Sequence, residues 1–164
     1  MSGKTTFLRT IGINMILFHA GALLCAVSGS ATSMNLYTSM RVQDNVSEGI
    51  STFYAEILRI KDMMLASEKK EKMLVLVDEI FKGTNSADRI VCAKTALEKL
   101  HLPWIITFVS THDFELCDMD KTMNAENYHF SEYYEDDKIL FDYTLKEGRC
   151  TTTNAKQLMK MAGF

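Results

Sequence analysis

Apolar and polar positions along this chain fall into two alternating periods, one helical and one extended. Residues 5–19 read as a helix, and residues 35–42 as a short strand. Residues 50–72 read as a long helix: Phe53, Ile57, Ile60 and Met64 recur at helical spacing, and the far end is charged and solvated. "MLVLV" (73–77) is an unbroken apolar run, the pattern of a strand buried on both faces of a parallel sheet. Residues 86–100 predict the next helix, capped by Asn85 or Ser86. "WIITFVS" (104–110) predicts a second buried strand. "ENYHF" and "KILFDYTL" (138–145) suggest strands at one edge, joined as a hairpin across "SEYYEDD", and residues 151–161 a closing helix. The order is that of an α/β fold with a mostly parallel sheet flanked by helices and an antiparallel edge near the C-terminus.

Composition narrows this little. The 164 residues suit one domain with a real core, and 47% hydrophobic and 24% charged residues are ordinary for a globular protein. A net charge of −3 gives no overall basic footprint for nucleic acid. One proline and eight glycines leave no linker, and there is no repeat or low-complexity tract. Cys25, Cys92, Cys117 and Cys150 are scattered without a C-x-x-C pair, so they read as reduced, mostly buried thiols of a cytoplasmic protein rather than zinc ligands. "IGINMILFHAGALLCAV" (11–27) is apolar, but Asn14, His19 and two glycines favour a helix packed on a sheet followed by a turn over a membrane span.

Chemistry enters at three places. The chain opens "MSGKTT". The nucleotide-binding loop reads G-x-x-x-x-G-K-[ST], and Gly3, Lys4 and Thr5 fit its last three positions. At a helix start, free backbone N–H groups favour phosphate. Ser2, Gly3, Lys4, Thr5 and Thr6 thus form a candidate ATP-binding string, with Lys4 on the terminal phosphates and the Thr5 hydroxyl on Mg2+. The loop's opening glycine would lie ahead of Met1, as would its feeding strand. The expectation is therefore a domain spanning 1–164 with an incomplete phosphate loop, which alone binds ATP weakly and hydrolyses it poorly.

The second place is "MLVLVDEIFKGTNS", an apolar strand delivering Asp78 and Glu79 at its end. This is the Walker B pattern: Asp78 for the metal and Glu79 to polarise the attacking water. The third is "WIITFVSTHDFEL", which brings His112 to the rim beyond a second strand, placed to sense the terminal phosphate. His19, His101 and His129 lack such placement and read as structural.

Together these residues resemble the C-terminal ATPase domain of the MutS family of DNA mismatch-repair proteins, a branch of the ABC-type P-loop NTPases. That family's loop runs G-P-N-M-[SG]-G-K-[ST]-T, and this chain begins at its methionine. "DNVSEGISTFYAEILRI" resembles its D-x-x-x-x-G-x-S-T-F-x-x-E segment, "VLVDEIFKGTNSADRI" its Walker B and following loop, and "STHDFEL" its T-H switch. "HFSEYYEDDKILFDYTLKEG" and "NAKQLMKMAGF" resemble its last strands and helix, so the resemblance runs nearly end to end. It implies that Lys4 and Thr5 bind phosphate and Mg2+, Asp78 binds Mg2+, Glu79 is the catalytic base and His112 the switch. It also implies that Ser51, near Gly49 and Thr52, serves the nucleotide of an opposing subunit. By itself "GIST" fits a helix cap equally well. The resemblance makes Asn85, Ser86 and Asp88 a loop coupling two sites across a homodimer that closes on ATP, with DNA contacted through upstream domains.

"FKGTNS" and "TTTNAKQLM" look more like MutS-related proteins than like the repair enzymes proper. Two other readings stand beside the ATPase. One is a catalytically impaired piece acting in dimerisation or interaction. The other is an ABC-type ATPase of transport or chromosome maintenance, which "SEGIST" in place of L-S-G-G-Q disfavours.

Overall fold

The computed structural model describes residues 3–40, 52–82, 84–135 and 138–150. Its centre is a three-stranded parallel sheet in the order β1 (Asn35–Ser39), β2 (Met73–Asp78), β3 (Ile105–Ser110). Strand β2 lies in the middle, and every one of its residues is buried. A parallel strand so placed needs cover on both faces. Val75, Leu76 and Val77 are wholly excluded from solvent, each contributing about 1.5–3 kcal/mol on burial.

Alternation along β2 divides the core in two. Met73, Val75 and Val77 pack with Ile60 and Met63 of α2 (Thr52–Ser67) and with Ala93, Ala96 and Leu100 of α3 (Ser86–Leu100). Leu74 and Leu76 face the other way and pack with Leu8 and Met15 of α1 (Lys4–His19). Gly12 lets α1 come down directly on β2: a Cβ there would lie 3.0 Å from Leu76 Cδ1. The helix is buried on this one face only, since Ile13 and Ile16 on its other side are exposed. It ends at His19, so the apolar stretch 11–27 is a helix end and an exposed loop carrying Leu23 and Val27. Among the described residues no helix is long and apolar enough to cross a membrane.

Within the described residues, the elements predicted from α1 to β3 are recovered with shifted ends. Helix α2 stops at Ser67, because the charged stretch that follows makes a turn with Lys70 left-handed. Asn85, not Ser86, caps α3, its side chain accepting from the Asp88 amide at 2.9 Å. After β3 come a short helix α4 (Phe114–Cys117) and a 3-10 turn (Asp118–Lys121).

The C-terminal strands differ most from expectation. β4 (Tyr128–Glu135) runs through "SEYYE", which was expected to be the turn, and pairs antiparallel with β5 (Lys138–Glu147). Among the described residues the pair is a separate two-stranded sheet, not the edge of the parallel one. It is held by aromatic contact: Phe7 of α1 meets Phe130 edge-on at 6.0 Å and Phe108 of β3 at 6.5 Å. The cysteines are free thiols, but Cys25 is exposed and the other three half-buried, so the expectation of mostly buried thiols fails. His19 accepts from Ser33 and the Met34 amide, and His129 bonds the Gly148 carbonyl, both structural roles. The expected closing helix lies outside the described residues.

Candidate nucleotide-binding site

Strand register builds the site. Asp78 ends β2 directly opposite Ser110, the last residue of β3. Both are buried at 5% exposure. The Ser110 hydroxyl donates to Asp78 Oδ1 at 2.5 Å, and Ser110 Oγ itself accepts from the Glu79 amide at 3.0 Å. From the other side, the Thr5 hydroxyl in the first turn of α1 donates to Asp78 Oδ2 at 2.8 Å. Each Asp78 oxygen thus has a hydroxyl donor, one from a neighbouring strand and one from the helix above.

Ahead of Thr5, Gly3 is the N-cap of α1 at φ 98°, a conformation that suits glycine. It lies under the hairpin: a Cβ would sit 3.3 Å from Tyr143 and 3.6 Å from Phe130. The helix start carries no acidic residue in its first turn and no side-chain cap. Its amides therefore meet no competing carboxylate from α1 itself, as an anion site requires. Lys4 is half-buried, and its ammonium lies 3.3 Å from both His112 ring nitrogens and donates to the Thr111 carbonyl at 3.4 Å. Burial pushes Lys4 below its ordinary pKa, while Glu79 and Asp78 pull it back up. An anion near Lys4 would stabilise its charge further.

Glu79 leaves β2 in the left-handed region at φ 56°, and Phe81 follows at φ 57°. Such non-glycine residues cost of order 1–3 kcal/mol each and cluster at functional sites. The Glu79 carboxylate meets His112 Nε2 at 3.3 Å and is paired on its other oxygen with Lys82. One residue beyond His112, Asp113 takes a two-pronged pair from Arg89 of α3, at 2.8 and 2.6 Å. Hydrogen bonding to Arg89 holds the Asp113 carboxyl below its usual range. The Asp113 amide closes the turn onto Thr111 Oγ1 at 3.0 Å.

The structure therefore gathers Gly3, Lys4, Thr5, Asp78, Glu79 and His112 at one end of the sheet. Thr6 is exposed, with its carbonyl accepting from Thr10. Ser2 and Ser51 lie outside the described residues. Asn85, Ser86 and Asp88 form the capped first turn of α3. Ser110, Lys82, Glu56 and the Arg89–Asp113 pair carry no assignment from the sequence. Two of them had a signal there: Ser110 stands at the end of the same apolar strand that delivers His112, and Glu56 is the closing E of the D-x-x-x-x-G-x-S-T-F-x-x-E segment.

The residues fit a magnesium ion bound with phosphate. Among the described residues there is no cluster of three or more His, Cys, Asp or Glu that would hold a metal unaided. Mg2+ at phosphate sites needs little more than one carboxylate and a hydroxyl, with water and phosphate oxygens completing it. Asp78 Oδ2 and Thr5 Oγ1, already 2.8 Å apart, supply that pair.

A helix start bearing Gly-Lys-Thr, set against an aspartate at the end of a central parallel strand, is the arrangement of the P-loop NTPase-like proteins. The family model for MutS domain V matches residues 1–164, and the chain belongs to that family. It is 28% identical over 166 residues to the DNA mismatch repair protein MutS 2 of Halobacterium salinarum, covering 99% of this chain. It is 30% identical over 170 residues to DNA mismatch repair protein MutS of Aquifex pyrophilus, covering 100% of this chain, and 30% identical over 166 residues to that of Leptospira interrogans, covering 99%. The chain spans 19% of the length of each of these relatives.

Proposed function

We propose that this domain binds Mg-ATP at the Gly3–Asp78 end of the sheet and hydrolyses it, as the ATPase unit of a cytoplasmic protein of DNA mismatch repair. The observation that carries this is the 2.8 Å bond from Thr5 to Asp78, which joins the helix of the phosphate string to the metal-binding strand. When bound, Mg2+ would neutralise phosphate charge. Lys4 would hold the terminal phosphates, and Gly3 and the first amides of α1 the others. Glu79 would take the proton of the attacking water, and His112 would hydrogen-bond the terminal phosphate. Lys82 and His112 each contact one oxygen of the Glu79 carboxylate, which keeps acceptor sites for a water. The ABC-type arrangement follows from the same reading: a homodimer with two composite sites, Ser51 reaching the partner's nucleotide, and DNA engaged by other domains of a longer protein.

The test is Mg-dependent ATP binding and turnover by this chain and by the same chain extended upstream with Gly-Pro-Asn and a strand. Turnover that Glu79→Gln abolishes while ATP binding persists is the expected result. No Mg-dependent binding by the extended chain would sink this reading and leave a dimerisation module.

A further inference from the structure

The turn that carries Glu79 is held by a residue outside the nucleotide-binding constellation. Glu79 and Phe81 are both left-handed without being glycine, and such a turn persists only where its surroundings over-determine it. The start is fixed by Ser110, whose hydroxyl and carbonyl both accept from the Glu79 amide, at 3.0 and 3.1 Å. The other end is fixed twice by α2. The Phe81 ring is buried edge-on against Phe53, centroids 5.8 Å apart. One helical turn further, Glu56 Oε1 accepts from the Phe81 amide at 2.8 Å.

We infer that Glu56 is a positioning residue for hydrolysis: its carboxylate anchors the Phe81 amide, keeps the 79–81 turn left-handed and so aims the Glu79 carboxylate. This rests on the ATPase reading above. Phe81 is 3% exposed, so without Glu56 its amide would be left buried and unpaired. The turn can escape that penalty by relaxing towards ordinary backbone angles, which swings Glu79 away from the end of β2. Burial pushes the Glu56 carboxyl above its usual range, and the amides of Phe81 and Lys82, with Arg59, act against that shift. A carboxyl oxygen accepts in either protonation state, so the geometry needs an acceptor at this reach rather than a charge. Because α2 begins at Thr52, the anchor also ties the catalytic turn to the helix that follows the "EGIS" segment.

The experiment compares Glu56→Ala, Glu56→Asp and Glu56→Gln in the extended chain, reading kcat, ATP affinity and hydrogen exchange at the Phe81 amide. Glu56→Ala is expected to lower kcat by roughly 10- to 100-fold, leave ATP affinity unchanged and speed Phe81 exchange. Glu56→Asp, which keeps the charge but shortens the reach, should behave like it and decides the matter where Glu56→Ala does not fold. Glu56→Gln should restore both kcat and protection. An unchanged kcat in Glu56→Ala or Glu56→Asp overturns the inference, as does an equal loss of kcat and ATP affinity in all three variants. No turnover in the unsubstituted chain overturns the ATPase reading, and this inference with it.

Discussion

Arg89 and Asp113 meet through two hydrogen bonds, at 2.8 and 2.6 Å, joining the first turn of α3 to the residue beside His112. A fork of this kind fixes direction as well as distance. Arg89→Lys keeps the charge but loses the second prong, so it should disturb the 111–113 turn almost as much as Arg89→Ala does. The check is His112 itself: its NMR ring signals should shift in both variants.

The same pair gives a pH dependence. Asp113 is held below its ordinary pKa, so its contribution to stability is fully present above the normal carboxylate range and is lost as pH falls through the lowered value. Asp113→Asn removes that contribution. The gap in melting temperature between the two proteins should be widest near neutral pH and should close below about pH 4. A gap that stays constant down to strong acid would contradict this.

Ser110→Ala removes a buried donor to Asp78 and one of two acceptors for the Glu79 amide. The loss should be about 1–3 kcal/mol. It should appear as a lower urea midpoint at unchanged slope, because no large surface is newly exposed.

Thr5→Val keeps the shape of the side chain but removes its oxygen. On the Mg-ATP reading it should weaken Mg-dependent ATP binding by the extended chain about tenfold or more, while binding measured without Mg2+ changes little. Thr5→Ser should be near normal. Equal losses with and without Mg2+ would show that Thr5 matters to packing and not to the metal.

Gly3→Ala puts a side chain at φ 98° and 3.3 Å from Tyr143. A strain of roughly 1–3 kcal/mol is expected, measured as a lower melting temperature. Hydrogen exchange should quicken in β4 and β5, whose aromatic residues must yield.

Much of this was legible in the sequence where a residue's own neighbours determine its state. "MLVLV" reads as a central strand because every position is apolar, and Asp78 and Glu79 follow it in the chain. Gly-Lys-Thr reads as a phosphate string for the same local reason. What could not be read are partnerships across the fold. Asp78 and Ser110 are 32 residues apart, Phe81 and Glu56 25, and Arg89 and Asp113 24. One sequence does not say which polar side chains the folded backbone brings together. The hairpin shows the same limit. Its alternating residues announce strands, but period two does not tell which sheet they join, nor that Phe130 would turn towards Phe7.

Gly12 touches none of these groups, yet it sits where α1 rests on Leu76. With no side chain between helix and strand, the gap between Thr5 and Asp78 is gauged two helical turns from Thr5 and two strand residues from Asp78. The core acts as the jig in which the site is assembled, and ligand arrival does not have to draw the two halves together. A bulkier residue at 12 would lift the helix off that jig. On the Mg-ATP reading, the resulting lesion would present as poor metal affinity while leaving Lys4, Thr5, Asp78 and Glu79 themselves intact.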